Sequence, residues 1–281
     1  MTIKIVTDSA CDVPPAIAAG LGITVVPVYI NVGEQSYLEG VELTREEFYR
    51  NLATYDPYPT TAAPATGTFT EVYERLTAAG ATRILSMHLA SSLSATYNAA
   101  RLGAEAAKSA PVTLFDTEQI TLGAGLLVLT AAEAAAAGRT MDEILAMLKE
   151  RVARTRVFGM LDRLDSLRRS GRVSRAQFGL GTLLKIKPVM MIWKGQVEVV
   201  ARVRTGKRSM QHMLQMLEAY SPFERLAVIH VDAAAAATQL CQRAEHLFPA
   251  GSDWLTAEIT PAIGTHLGLG AVGFACISAG E

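Results

Sequence analysis

ILSMHLASSLSATYNAARLGAEAAKSAPVTLFD, residues 84–116, decides how the chain folds. An apolar run of strand length (84–89) is followed by a helical pattern from about Ser94 to Lys108 and a second apolar run, VTLFD (112–116). A strand, a helix long enough to cross back and another strand make a parallel pair with the helix over one face. The hydroxyl-rich SSLSAT falls where the first strand ends and the helix begins. Open α/β sheets bind ligands at that end of their strands, and the free N–H groups of a helix start accept an anion. Ordinary capping by Ser94 is the competing explanation.

The pattern continues on both sides. IKIVT (3–7) reads as a buried strand, with a short helix after Pro14 and Pro15, and ITVVPVYINV (23–32) reads as a second strand. TREEFYRNLA (44–53) is a helix, with Thr44 as N-cap and Glu47 three residues on, a capping box. YPTTAAPATG (58–67) again brings hydroxyls to a helix start, here the helix over 66–79, where Thr66 fits a cap. Helices over 120–137 and 140–154 follow. Alternating strands and helices of this kind imply an α/β unit, a mostly parallel sheet with helices on both faces. The second half differs. KPVMMIW (187–193), a Lys194–Gly195 turn and QVEVVARVR (196–204) form a β-hairpin. A helix (208–219), a strand (226–231), a helix (233–247) and strands at 255–260 and 272–278 complete an α+β unit with a partly antiparallel sheet. The expected division is 1–156 and 157–281.

Composition narrows the function. The 281 residues are half hydrophobic and carry a net charge of −1, so no overall field draws nucleic acid. The charge is uneven: ten acids to four bases in residues 1–80, three acids to nine bases in 149–175. Cys11, Cys241 and Cys276 are too far apart for a disulfide framework, and the histidines show no metal-ligand spacing. No secretory h-region opens the chain, and the apolar stretch 120–137 is alanine-rich and interrupted by Glu133, a buried helix rather than a membrane span. A cytoplasmic protein is expected.

The segment EITPAIGTHLGLGAVGFACIS (258–278) contains G-x-G-x-x-G at 268–273. A dinucleotide fingerprint needs a long helix after it, but only eight residues follow Gly273 and they read as a strand, which excludes that site. His266 sits in a glycine-rich loop where backbone can approach a ligand, or where its ring is simply satisfied by carbonyls. His88 and His230 read as strand histidines satisfied in place, and His212 and His246 as surface residues on helices. No G-x-S-x-G elbow surrounds Ser94. A serine-type acyl hydrolase or acyltransferase using Ser94, with His266 as base and Asp8 or Asp116 as orienter, remains the enzymatic alternative. Arg168, Arg169, Arg172 and Arg175, and then Arg202, Arg204, Lys207 and Arg208, make two basic clusters. They suit a carboxylate or phosphate, or simply form a solvated surface.

Taken in order, these segments resemble the DegV family of bacterial fatty-acid-binding proteins, the acyl-carrying subunits of fatty acid kinase. IVTDSACDVP resembles its opening strand motif, TAAPA (61–65) its T-S-x-P-S, and SSLSATYNAA (91–100) its S-x-L-S-G-T-Y-x-S-A. LRRSGRVS (167–174) resembles L-x-x-G-G-R-I-S, and IGTHLGLGAVG resembles I-G-x-H-x-G-P-G-x-x-G. The resemblance implies a two-domain DegV-like fold that holds one long-chain fatty acid in a tunnel between its domains. The protein would be a carrier, not an enzyme by itself, with no metal and no cofactor beyond the lipid. By matching position, Thr61 and Ser94 would bond the carboxylate with His266 in the same network, and Arg172 and Ala95 would lie at the opening. Arg204, or alternatively Arg202, would engage an ATP-binding kinase subunit, and transient contact with a membrane surface is compatible with this role. The sequence departs from the motifs at Ala62, Ala65, Ala95 and Leu269.

Overall fold

A computed structural model of the chain describes residues 2–162, 165–170, 186–251 and 254–280. Strands β1 (Ile3–Asp8), β2 (Thr24–Val26), β6 (Arg83–His88) and β7 (Val112–Asp116) form an all-parallel sheet in the order β2-β1-β6-β7. Strand side chains alternate between faces. Val6 and Ile84 pack with Phe69, Tyr73 and Ala100 of α3 (Thr66–Ala78) and α4 (Thr96–Ala106). Ile5, Leu85 and Met87 join the core that also contains α5 (Thr121–Ala136), a helix buried continuously from Thr121 to Ala132. The quoted strand–helix–strand unit is therefore β6–α4–β7.

The expected single strand over 23–32 is two strands in two sheets. Pro27 has no N–H for a ladder and ends β2. The chain then enters a small antiparallel sheet, order β4-β3-β5, formed by β3 (Tyr29–Val32), β4 (Gln35–Leu38) and β5 (Thr60–Ala62). Helices α1 (Pro15–Gly20) and α2 (Arg45–Asn51) flank these segments.

After α6 (Met141–Arg154), a six-stranded sheet runs in the order β10-β9-β8-β13-β11-β12, with a short helix, α7 (Asp165–Ser170), following β8 in the chain. Its strands are β8 (Thr155–Met160), β9 (Lys187–Trp193), β10 (Gln196–Val203), β11 (Phe223–His230), β12 (Leu255–Glu258) and β13 (Val272–Ser278). Every pairing is antiparallel except β11–β12. Met213 and Leu217 of α8 (Gly206–Glu218) and Leu240 of α9 (Ala234–Arg243) cover one face with Phe158, Val228 and Phe274. Val157, Ala227, Ala275 and Ile277 of the other face belong to the core around α5. The protein is thus mixed α/β, with a parallel N-terminal sheet and a mostly antiparallel C-terminal one.

Helix starts correct the sequence reading in detail. Thr44 Oγ1 accepts from the Glu47 N–H at 3.2 Å, and the full reciprocal box forms at Thr140 and Glu143. Thr66 is not a cap, whereas Ser94, one residue outside the assigned N-cap of α4, does cap its start by accepting from the Thr96 N–H at 3.2 Å. The N-cap residues of α3 and α4 are Ala65 and Ala95, and neither has a side chain that can cap. The helix expected over 233–247 stops at Arg243 and gives way to a 3-10 turn, Glu245–Leu247. Among the described residues no helix is long and apolar enough to cross a membrane.

Candidate functional site

A cavity of about 560 Å³ opens between the carboxyl ends of β1 and β6, the small sheet, the β9–β10 hairpin and a short helix, α10 (Pro261–Leu267). That volume is typical of a small-molecule pocket. Its inner wall is apolar and buried: Ala10, Val28, Leu89, Ile120, Met190, Ile192 and Ile263. Polar side chains gather at the mouth, where Ser91, Ser92 and Asn98 are exposed and Thr61, Ser94 and His266 half-buried. The wall offers an alkyl chain a dry environment, and the mouth offers a polar head hydrogen bonds.

The mouth is assembled from three elements. Thr61 lies in β5, Ser94 in the loop before α4, and His266 in the last turn of α10. His266 was expected in a loop; instead Pro261 at the first helical position starts a helix there, a place proline tolerates well. Thr61 Oγ1 lies 3.3 Å from His266 Nε2. Ser94 Oγ accepts from the Thr96 N–H at 3.2 Å and lies 2.9 Å from Thr96 Oγ1. A hydroxyl that accepts from the protein keeps its own hydrogen to donate, and a carboxylate can only accept. Ala95 is exposed on the same rim, at the start of α4, where unpaired backbone N–H groups also favour an anion. A latch joins the rim to the hairpin: Ser92 Oγ donates to Gly195 O at 2.7 Å, and Gly195 N–H donates to Glu118 O at 2.8 Å.

Two buried networks hold these elements. In the first, Asp8 and His88 are fully buried, with Asp8 Oδ2 2.9 Å from His88 Nδ1 and His88 Nε2 2.8 Å from Ser86 Oγ. Tyr73 Oη extends the chain, 2.8 Å from Ser86 Oγ. Asp8 also accepts from the N–H groups of Ala10 and Leu89, both in the cavity wall. The Asp–His–Ser arrangement resembles a catalytic triad, but its members are sealed in the sheet.

The second network surrounds the start of α10. Glu39 accepts from the Ala262 N–H at 2.5 Å and from the Ser9 hydroxyl; Asp12 accepts from the Thr260 N–H at 2.8 Å and from the Thr121 hydroxyl. Tyr49 Oη donates to Ile259 O at 2.6 Å, and Arg45 to Glu258 O at 2.5 Å. Burial pushes the Glu39 carboxyl up to about 7 and the Asp12 carboxyl up to about 6, against hydrogen bonds that favour the charged forms. Both groups hold a proton more tightly folded than unfolded. Their contribution to stability is therefore fully present below the ordinary carboxylate range and is lost progressively as pH rises from there through about 6 for Asp12 and about 7 for Glu39. For Glu39 alone the loss is about 3 kcal/mol at 1.36 kcal/mol per pH unit. Thermal unfolding is expected at a lower temperature at pH 8 than at pH 6, with the gap reduced in Glu39→Gln; a melting temperature that rises from pH 6 to pH 8 would contradict this assignment.

The structure brings Thr61, Ser94, Ala95 and His266 to one mouth. Arg202 and Arg204 are exposed at the far end of β10 from the turn, outside the cavity wall. Arg172 and Arg175 lie outside the described residues, as does the side chain of Arg168. His88 and His230 are satisfied strand histidines, the latter accepting from the Ala233 N–H at 3.2 Å, and His212 and His246 are exposed. Asp8 is bonded to His88, and Asp116 accepts from the Ser91 and Glu118 N–H groups, so neither orients His266. Sequence reasoning missed Asp12, Glu39 and Tyr58, whose hydroxyl donates to Thr265 O at 2.9 Å. Acids flanked by apolar residues, CDV and YLEGV, were the available signal.

Comparison with known proteins places this geometry. The family model described as "Uncharacterised protein, DegV family" matches residues 2–279. A DegV domain-containing protein of Listeria monocytogenes is 33% identical over 277 residues, covering 96% of each chain. Among solved structures, the DegV family protein of Thermus thermophilus described for its fatty acid binding has a TM-score of 0.87 at 32% identity, covering 99% of this chain and 100% of that one. DegV of Bacillus subtilis, described as a fatty acid binding protein, has a TM-score of 0.88 at 29% identity, with 99% and 100% covered. Matched from end to end in sequence and in fold, the chain belongs to the DegV family.

Proposed function

We propose that the protein binds one long-chain fatty acid in this cavity, with the alkyl chain against the buried wall and the carboxylate at the mouth. The observation that carries the reading is the division of one cavity into an apolar interior and a hydroxyl-rich rim. It occurs in a chain that shares its fold with fatty-acid-binding DegV proteins. Thr61 and Ser94 donate their hydroxyl hydrogens to the carboxylate, and His266 completes the network through Thr61. Burying about fourteen methylenes at roughly 0.8 kcal/mol each yields on the order of 11 kcal/mol before the costs of association, so no buried ion pair is needed. The ligand lies between the units 1–156 and 157–281.

The protein then acts as a carrier that presents the carboxylate to a separate ATP-dependent kinase subunit, with Arg204 or Arg202 on the docking face. A hydrolase is disfavoured by the same geometry: Asp8 is committed to His88 and Asp116 to the Ser91 and Glu118 N–H groups, so neither carboxylate orients His266 as a base. Native mass spectrometry of the protein expressed in bacteria is expected to show the mass of one intact long-chain fatty acid, lost on denaturation. A protein that stays ligand-free in lipid-replete cells would overturn the reading. Arg204→Glu is expected to keep that lipid and lose kinase-dependent acyl phosphate formation; loss of the lipid itself would remove Arg204 from the docking face.

A further inference from the structure

The helix that carries His266 is tied at both ends to the same small sheet. Thr61 belongs to β5, and Glu39 immediately follows β4. At the start of α10 the Ala262 N–H donates to Glu39 Oε1 at 2.5 Å; at its end His266 Nε2 meets Thr61 Oγ1 at 3.3 Å. Residues 262 and 266 are about one helical turn apart, so the first tie bears directly on the second. A seven-residue helix is too short to hold its own geometry, and its position depends on such ties. The other oxygen of Glu39 receives the Ser9 hydroxyl, from the turn that presents Ala10 to the cavity. Asp12, Arg45 and Tyr49 bond residues 258–260, ahead of the helix, and Tyr58 bonds Thr265 near its end. Glu39 alone among these side chains bonds the first turn of α10 itself.

We propose that Glu39 is a positioning residue for the mouth of the cavity. By holding the first turn of α10 against the small sheet, it sets the approach of His266 to Thr61 and so favours a carboxylate over an uncharged head on the same alkyl chain. The inference rests on the fatty-acid reading above. Glu39 touches no ligand, since it does not line the cavity.

The test compares binding of hexadecanoic acid and 1-hexadecanol by fluorescence displacement. Wild type is expected to prefer the acid, and Glu39→Ala to reduce that preference about tenfold, the scale of one charge-assisted hydrogen bond, with little change in alcohol affinity. Glu39→Gln keeps an oxygen for the Ala262 N–H and is expected to recover most of the preference. In a His266→Ala background, Glu39→Ala is expected to have no further effect on it. Ser9→Ala removes one of the two partners of Glu39 and is a milder version should Glu39→Ala not fold; it is expected to erode the preference in the same direction. Equal losses for both ligands, an unchanged preference, or an effect undiminished by His266→Ala would overturn the proposal. A wild-type protein that binds neither ligand would overturn the fatty-acid reading itself, and this inference with it.

Discussion

Asp8→Ala is expected to lower the free energy of unfolding by about 4 kcal/mol, because removing the shared acceptor of a buried hydrogen-bonded network strands its three donors. Asp8 accepts from His88 at 2.9 Å, from the Ala10 N–H at 3.1 Å and from the Leu89 N–H at 3.2 Å, and all of this is sealed from water. In the alanine variant an imidazole and two backbone donors lose their acceptor at the junction of β1 and β6. Asp8→Asn keeps one oxygen acceptor and should cost about half as much. The measurement is the urea midpoint, shifted with little change in slope. A loss under about 1 kcal/mol would mean that water replaces the carboxylate, and the sealed network would have to be abandoned. Ala10 and Leu89 line the cavity, so lipid retention should fall with stability in this variant.

Gly273→Val is expected to be at least as damaging, about 4 kcal/mol or more, through overpacking rather than lost polarity. Gly273 pairs with Gly159 where β13 meets β8, the central pair of the six-stranded sheet. A Cβ on Gly273 would collide with the carbonyl oxygen of Phe158 and with the Gly159 Cα. Backbone atoms cannot turn aside as a side chain can, so β8 and β13 would have to separate. Even Gly273→Ala should be poorly tolerated. A valine variant that unfolds within about 1 kcal/mol of wild type would show that the two strands part easily.

That glycine closes the G-x-G-x-x-G run, and the run shows how legible the chain was. The context test rejected a nucleotide site, and the structure supplies other reasons for the glycines: Gly268 and Gly270 turn the chain with φ near +80°, and Gly273 admits a neighbouring strand. Long, strongly patterned segments could be read directly. IKIVT, the 84–116 unit and the hairpin around Lys194–Gly195 all bury enough apolar surface for periodicity to identify them. The small sheet was only partly readable: β3 lies inside the apolar run 23–32, whereas β4 and β5 are three or four residues long and mostly polar. The α10 helix was hidden for a related reason. Seven residues with two glycines nearby look like a loop, and only tertiary bonds make them a helix. Ser94 and His266 stood out by chemistry, as a hydroxyl at a strand end and a histidine among glycines, while Thr61 and the joint role of the three came from ordered motifs. Glu39 and Asp12 matter through partners more than 100 residues away in sequence, which no local pattern reveals.

The helix α5 has a consequence for how the molecule comes apart. Buried continuously from Thr121 to Ala132, it contributes to the same core as Ile5 and Leu85 of the parallel sheet and Val157 and Ile277 of the antiparallel one. Each sheet has a core of its own on its outer face, but on the face turned to α5 neither is covered without that helix. Opening either half would wet a helix that the other half also needs, so both should lose their structure in one cooperative step. The halves that the chain order suggests are halves of a shape, and in free energy the protein is expected to respond as one body.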